Sequence, residues 1–162
     1  MKVVSILSSV LLIFLIFPSC AGKSLELSNE EIANEIKSAV PLDEGYYQAS
    51  EKYFAYYFKD DKGNSLKVSD WAIYRSNSQS SENEFGIITT RVNNVDSVKS
   101  ACQNYIETRR KAYLEAKAAY SPEEYEKYRD AKVEVYGNTV VYFIMTKEDS
   151  ELSIEKIEAL NK

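Results

Sequence analysis

The sequence predicts an α+β domain with two layers, in which a mainly antiparallel sheet of about four strands carries helices on one face. Three observations favour this class. The 162 residues, 44% of them apolar, suffice for one domain with a real core but are few for two. The predicted elements run helix, two strands, long helix, two strands, helix. Paired strands on either side of a helix indicate an antiparallel or mixed sheet.

The chain begins with a segment typical of a signal peptide. Lys2 precedes a mostly apolar run over residues 3–17. As a helix this run would reach only about 23 Å, short of the roughly 30 Å of hydrocarbon in a bilayer, so a permanent transmembrane helix is not favoured. An uncleaved signal anchor is the alternative. We therefore predict a signal peptide over residues 1–20, a tether over 21–27 and a single domain over 28–162.

The end of this segment points to a lipid attachment. Residues 17–20, "FPSC", resemble the lipobox of bacterial lipoproteins, in which an apolar residue and two small residues precede the lipidated cysteine. Cys20 would then carry a diacylglyceryl thioether, whose two acyl chains hold a protein stably at about 0.8 kcal/mol per buried methylene. The alternative is cleavage after Ala21, which releases a chain that starts at Gly22.

The composition excludes several classes of function. The chain has no histidine, which removes histidine-based nucleophile pairs and histidine-ligated zinc. It carries 25 acidic and 20 basic residues, so that binding of nucleic acid is not predicted. Its acidic pairs lack the ligand spacing of a calcium loop, and it contains no glycine-rich phosphate loop, GxSxG or CxxC motif. We predict no catalytic site, metal or cofactor.

The first half of the domain is predicted from a cap, a turn and two apolar strands. "SNEE", residues 28–31, has the capping-box form and predicts a helix from Asn29 to about Ala39. The aromatic stretch that follows fits either a helix or a strand over Glu51 to Phe58. After the turn cluster "DDKGN", residues 60–64, strands are predicted over Asp70 to Arg75 and Glu84 to Val92.

The second half is predicted as helix, hairpin and helix. An amphipathic helix runs from Asn94 to about Tyr120, followed by a short helix that opens on Ser121 and Pro122. Two strands joined at Gly137-Asn138 and a terminal helix complete the chain. Their predicted bounds are Lys132 to Tyr136, Thr139 to Thr146 and Ser153 to Leu160.

Two features of the long helix have no predicted catalytic role. Cys102 lies on its apolar face and is the only thiol in the mature chain under either cleavage, so we predict a buried and inert cysteine. The basic run Arg109-Arg110-Lys111 is assigned to the solvent face, with Arg109 within reach of a carboxylate.

Several stretches together resemble a known family. They are the lipobox-like start, "LSNEEIANEIKSAV", the long helix, "AYSPEEYEKYRDAKVEVYGNTVVYFIMT" and the terminal helix. The chain resembles an uncharacterised family of small lipoproteins from Gram-positive, mostly clostridial, bacteria, known only as a domain of unknown function. The resemblance implies a bacterial envelope lipoprotein and carries no catalytic residue. The stretch "YYQASEKYFAYYF" departs from the family in being more aromatic.

Thirteen tyrosines are unusual for a chain of this length, and five of them lie between residues 46 and 57. They either pack the edge of the core with hydroxyls toward water, or form an aromatic platform for sugar rings or a protein partner. The candidate binding residues are Tyr46, Tyr47, Tyr53, Tyr56, Tyr57 and Trp71.

These observations predict an extracytoplasmic, lipid-anchored and non-catalytic module that binds a protein or a wall component at the cell envelope. One alternative is an envelope enzyme that works through converging carboxylates. Another is a secreted inhibitor with a protruding loop over Ser76 to Asn83.

Overall fold

The computed structural model describes residues 25–116 and 121–160. The predicted signal peptide and Cys20 lie outside these residues. The helices are α1 Asn29–Ala39, α2 Glu51–Tyr57, α3 Val95–Glu115, α4 Pro122–Arg129 and α5 Lys147–Ala159. The strands are β1 Tyr46–Gln48, β2 Asp70–Ser76, β3 Glu84–Thr89, β4 Lys132–Tyr136 and β5 Thr139–Ile144. The predicted α+β class is confirmed.

All five strands form one antiparallel sheet in the order β1-β2-β3-β5-β4. Every residue of the central strand β5 is buried, which explains why its sequence is apolar without alternation. The predicted hairpin between β4 and β5 is confirmed. Gly137 adopts a φ of 60° at its turn, a conformation that costs glycine little because it has no Cβ.

Helices cover both faces of the sheet, so the prediction of helices on one face is wrong. Helices α1 and α5 cover one face, where Ile32 and Ile157 lie in one core with Phe85. Helices α2 and α3 cover the other face, where Phe58 belongs to a second core with Ile88. The reason is that β3 and β5 carry apolar side chains at successive positions, and these alternate between the two faces.

The sheet also has a fifth strand that the sequence prediction omitted. Strand β1 lies in the aromatic stretch before α2 and pairs with β2, with Tyr46 opposite Ser76 and Gln48 opposite Tyr74. It spans only three residues, too few for an alternating pattern to stand out in the sequence. The stretch predicted as helix or strand is the helix α2, because Ser50 caps it by accepting the backbone N–H of Tyr53.

Strand β3 and helix α5 have boundaries that differ from the prediction by three residues or more, for local reasons. Strand β3 ends at Thr89 rather than Val92, because the chain turns at Thr90, whose N–H donates to the carbonyl of Asn138 at 2.9 Å. Helix α5 begins at Lys147, six residues before the predicted start, because the Thr146 hydroxyl caps it. By contrast, the capping box at the start of α1 forms as predicted.

The first described residues pack on the domain. Leu25, in the segment predicted as a tether, is buried in the core beneath α1 and α5. Across the described ranges, no helix combines the length and apolar character needed to cross a membrane.

Candidate functional site

A groove of about 660 Å³ opens between α2, α3 and the turn that follows α2. One face of α3 forms its floor with residues at positions i, i+3, i+4 and i+7, which lie in a row on a helix. These floor residues are Ala101, Asn104, Tyr105 and Thr108. The walls are Tyr56 and Tyr57 of α2 and Lys59, Asp60 and Asp61 of the turn. We call this site the α2–α3 groove.

Tyr56 is the most conspicuous side chain of the α2–α3 groove. It is 72% exposed, far more than Tyr47 at 42%, the second exposed aromatic residue in the part of the chain that the structure describes. Its ring packs against the neighbouring ring of Tyr57 at 4.8 Å between centroids and 84° between planes. Most of the Tyr56 ring is therefore open to solvent, while its edge contact with Tyr57 limits its orientation.

The charged and amide side chains of the groove fall into two groups. Lys59, Asp61 and Asn104 make no side-chain hydrogen bond or ion pair with any other described residue. Asp60 is occupied instead, because its carboxylate accepts the backbone N–H of Asn64 at 2.8 Å and that of Lys62 at 2.9 Å. These bonds, that of Asn64 foremost, lower the pKa of Asp60. The first group thus offers a cation, a carboxylate and an amide to a ligand.

A buried carboxylate, Glu84, lies behind the groove. It is 2% exposed and accepts hydrogen bonds from the hydroxyls of Tyr142 at 2.6 Å, Tyr105 at 2.9 Å and Tyr53 at 3.1 Å. The Arg75 guanidinium forms an ion pair with it at 2.9 Å. Burial raises the pKa values of the three tyrosines above the ordinary value, so they stay protonated and donate. We call these five residues the Glu84 cluster.

The Glu84 cluster fastens the α2 wall and the α3 floor of the groove to the sheet. Its hydroxyls come from α2, α3 and β5, whereas Arg75 comes from β2 and Glu84 from β3. Tyr105 is shared, because its ring lines the groove while its hydroxyl bonds both Glu84 and Tyr53. The ring of Tyr57 packs on those of Tyr53 at 4.7 Å and Tyr105 at 5.4 Å. The groove is therefore held in shape by a paired polar core.

A second polar cluster holds the segment between β2 and β3. Arg109 of α3 contacts Glu82 at 2.6 Å, which confirms the prediction that this arginine reaches a carboxylate. Tyr128 of α4 donates to the same carboxylate at 2.6 Å. The backbone N–H of Glu82 donates to Glu124 at 2.6 Å, and Lys127 pairs with Glu124 at 2.5 Å. This cluster ties the segment to α3 and α4.

The structure brings only some of the predicted binding residues together. Tyr56 and Tyr57 line the groove, and Tyr53 lies behind them in the Glu84 cluster. Tyr47 lies on β1 outside the groove, where its hydroxyl accepts a hydrogen bond from Arg75 at 2.9 Å.

The other two predicted residues are partly buried and pack against the two cores. Tyr46 lies against Phe85 on the opposite face of the sheet, and its hydroxyl donates to the carbonyl of Val40 at 2.9 Å. Burial raises the pKa of Tyr46 to about 12. Trp71 stacks on Phe54 with centroids 4.7 Å apart and packs against the core beneath α2 and α3.

Sequence reasoning missed Glu84 and the groove residues Lys59, Asn104 and Thr108. The sequence holds a signal for three of them. Glu84 opens a strand whose following residues are apolar, an unusual place for an unpaired charge. Asn104 and Thr108 are polar positions that flank the apolar stripe of α3.

Cys102 is buried as predicted, and burial raises the pKa of its thiol. A thiol in this setting is a poor nucleophile because it stays protonated. Within residues 25–116 and 121–160, no group of three or more cysteine, aspartate or glutamate side chains is arranged to hold a metal ion.

Comparison with known proteins gives one match. A family model described as "Domain of unknown function (DUF4358)" matches residues 64–145, about half of the chain. The resemblance to an uncharacterised family is thereby confirmed. No curated protein and no solved structure matches the chain. The matched range includes Glu84, Arg75 and the floor of the groove, whereas the tyrosines of α2 lie before it.

Proposed function

This chain belongs to the family described as a domain of unknown function (DUF4358), and we propose that it is a lipid-anchored, extracytoplasmic binding module of the cell envelope. In this proposal Cys20 carries the lipid and the domain binds an envelope component without transforming it. The binding site is the α2–α3 groove.

The observation that carries the proposal is the combination of Tyr56 with unoccupied polar groups in one groove. An exposed tyrosine offers a large contact area with few rotatable bonds, so little entropy is lost on binding. The side chains of Lys59, Asp61 and Asn104 add directional contacts beside it. The Glu84 cluster favours binding further because it holds the α2 wall and the α3 floor in place before a ligand arrives.

The charge arrangement favours binding over carboxylate catalysis. A carboxylate enzyme needs one carboxyl group with a raised pKa to act as the acid. The backbone N–H of Asn64 instead lowers the pKa of Asp60 in the groove. The carboxylate of Glu84 is buried and already accepts four partners, which makes it unsuited to proton transfer with a substrate.

The structure of the segment over Ser76 to Asn83 favours a secreted inhibitor less than it favours a binding module. An inhibitor of that kind presents a protruding loop to its target. Here the segment is tied down from Ser81 onward, since Lys127 contacts Ser81 at 3.3 Å and Glu124 accepts the N–H of Glu82. Both end residues of the segment are buried.

The anchor is tested by changing Cys20 to serine in the native organism. We expect wild-type protein in the membrane fraction, with a diacylglyceryl group on an N-terminal Cys20 detected by mass spectrometry. The Cys20→Ser variant should leave that fraction or stay unprocessed, because a serine hydroxyl cannot form the thioether. An unmodified wild-type chain that starts at Gly22 in the culture medium would contradict the anchor.

The groove is tested by sedimentation of the purified protein with washed envelope from the native organism. We expect the wild type to bind, and Tyr56→Ala to bind about tenfold more weakly, since an exposed aromatic anchor contributes about 1–2 kcal/mol. Leu152→Ala is the control, because Leu152 is also an exposed apolar residue but lies on α5, outside the groove. Equal losses in the two variants, or no binding by the wild type, would refute the groove as the site.

A further inference from the structure

We infer that the ligand of the α2–α3 groove is a carbohydrate that stacks a pyranose ring on Tyr56. The inference rests on the proposed binding function and names the class of ligand.

Tyr56 supplies the surface that a sugar ring needs. The C–H groups on one face of a pyranose are apolar and slightly positive, and they match the negative face of an aromatic ring. Tyr56 is 72% exposed, and its partner Tyr57 is held by Tyr53 and Tyr105 of the Glu84 cluster. An open ring on a fixed support is suited to stacking.

The polar side chains beside Tyr56 match sugar hydroxyls. Each hydroxyl both donates and accepts, so a sugar needs neighbours of both kinds. Lys59 is a donor, Asp61 is an acceptor, and the amide of Asn104 is both. A protein partner would instead be anchored by a desolvated apolar pocket. Of the nine described residues that line this groove, five are polar, three are tyrosines and one is alanine, which favours a sugar over an apolar protein anchor.

The charge of the groove narrows the ligand to neutral or amino sugars. Among the described residues that line the groove, two carboxylates, Asp60 and Asp61, outnumber one cation, Lys59. The whole chain has a net charge of −5. A strongly anionic polymer would be repelled by this field. The volume of about 660 Å³ lies within the range of small-molecule sites and admits a short oligosaccharide.

The test separates glycan from protein within the envelope. Sedimentation is repeated with envelope stripped by protease and detergent, a treatment that leaves the glycan. Titration calorimetry then measures binding of two soluble probes, cellotriose and the trimer of N-acetylglucosamine. We expect binding to the stripped envelope and to at least one trimer. Tyr56→Ala should weaken both by about tenfold, while Tyr56→Phe, which keeps the ring, should stay within about threefold of the wild type.

A second pair of variants tests the polar contacts. Asn104→Ala should weaken binding by about fivefold because it removes a hydrogen-bonding group from the groove. Its neighbour Gln103 is exposed on α3 and does not line the groove, so Gln103→Ala should bind as the wild type does. Circular dichroism of each variant verifies that the fold is retained.

The outcomes distinguish this inference from the proposed function. Loss of binding after protease treatment identifies a protein partner, which overturns the carbohydrate but leaves the binding module standing. Binding to stripped envelope that Tyr56→Ala does not weaken overturns stacking in this groove. Absence of binding to untreated envelope overturns the proposed function itself.

Discussion

Replacing Glu84 by leucine lowers the free energy of unfolding by about 4 kcal/mol. The change removes the acceptor of three hydroxyls and the partner of Arg75 at once. Tyr105 and Tyr142 are almost fully buried, so their hydroxyls cannot turn to water. Urea unfolding followed by circular dichroism measures the loss.

The control for this prediction is the same change at an exposed site. Glu155 lies on the outside of α5, and Glu155→Leu should alter the free energy of unfolding by less than about 0.5 kcal/mol. If Glu84→Leu costs less than about 1 kcal/mol, the Glu84 cluster does not stabilise the domain. Glu84→Gln should fall between the two, because the amide keeps one acceptor but loses the charge that pairs with Arg75.

Replacing Gly86 by alanine costs about 3 kcal/mol of unfolding free energy. A Cβ at this position would overlap the ring of Tyr142, 2.6 Å from its Cζ atom. The ring cannot move away, because it is fully buried, packs against Tyr105 and Phe58, and is held by Glu84. Urea unfolding of the variant measures the cost.

Gly63 provides the matched alanine substitution. It adopts a φ of 79°, but a Cβ there meets nothing within 4 Å. Gly63→Ala should therefore cost only about 1 kcal/mol, from backbone strain alone. A Gly86→Ala variant that is no less stable than Gly63→Ala would mean that the Tyr142 ring is not fixed as described.

The elements with strong local signals were predictable from the sequence. The capping box at Ser28 and the hairpin at Gly137 form as predicted, because both depend on residues close together in the chain. The sequence of α2 fits a helix or a strand, since its aromatic residues favour strands locally. The Ser50 cap and the packing of Phe54 in the core stabilise the helix. The covering of both sheet faces was missed because it depends on which segments meet in three dimensions.

The candidate site was predicted only in part. The sequence predicts one binding surface from the tyrosines between residues 46 and 57, but the alternation of β1 places Tyr46 and Tyr47 on opposite faces of the sheet. The helical repeat of α2 likewise separates Tyr53, in the Glu84 cluster, from the exposed Tyr56. The cluster itself joins five elements, and no pattern within one segment reveals that Glu84 gathers them.

The central claim is that the α2–α3 groove binds a carbohydrate of the envelope. The most direct measurement is a titration of the isotopically labelled protein with soluble wall-polysaccharide fragments from the native organism, followed by amide chemical shifts. We predict the largest shifts at Tyr56, Tyr57, Asn104 and Thr108, with Tyr47 and the face of α1 and α5 unchanged. Shifts centred outside the groove, or no shifts at saturating fragment, would contradict the claim.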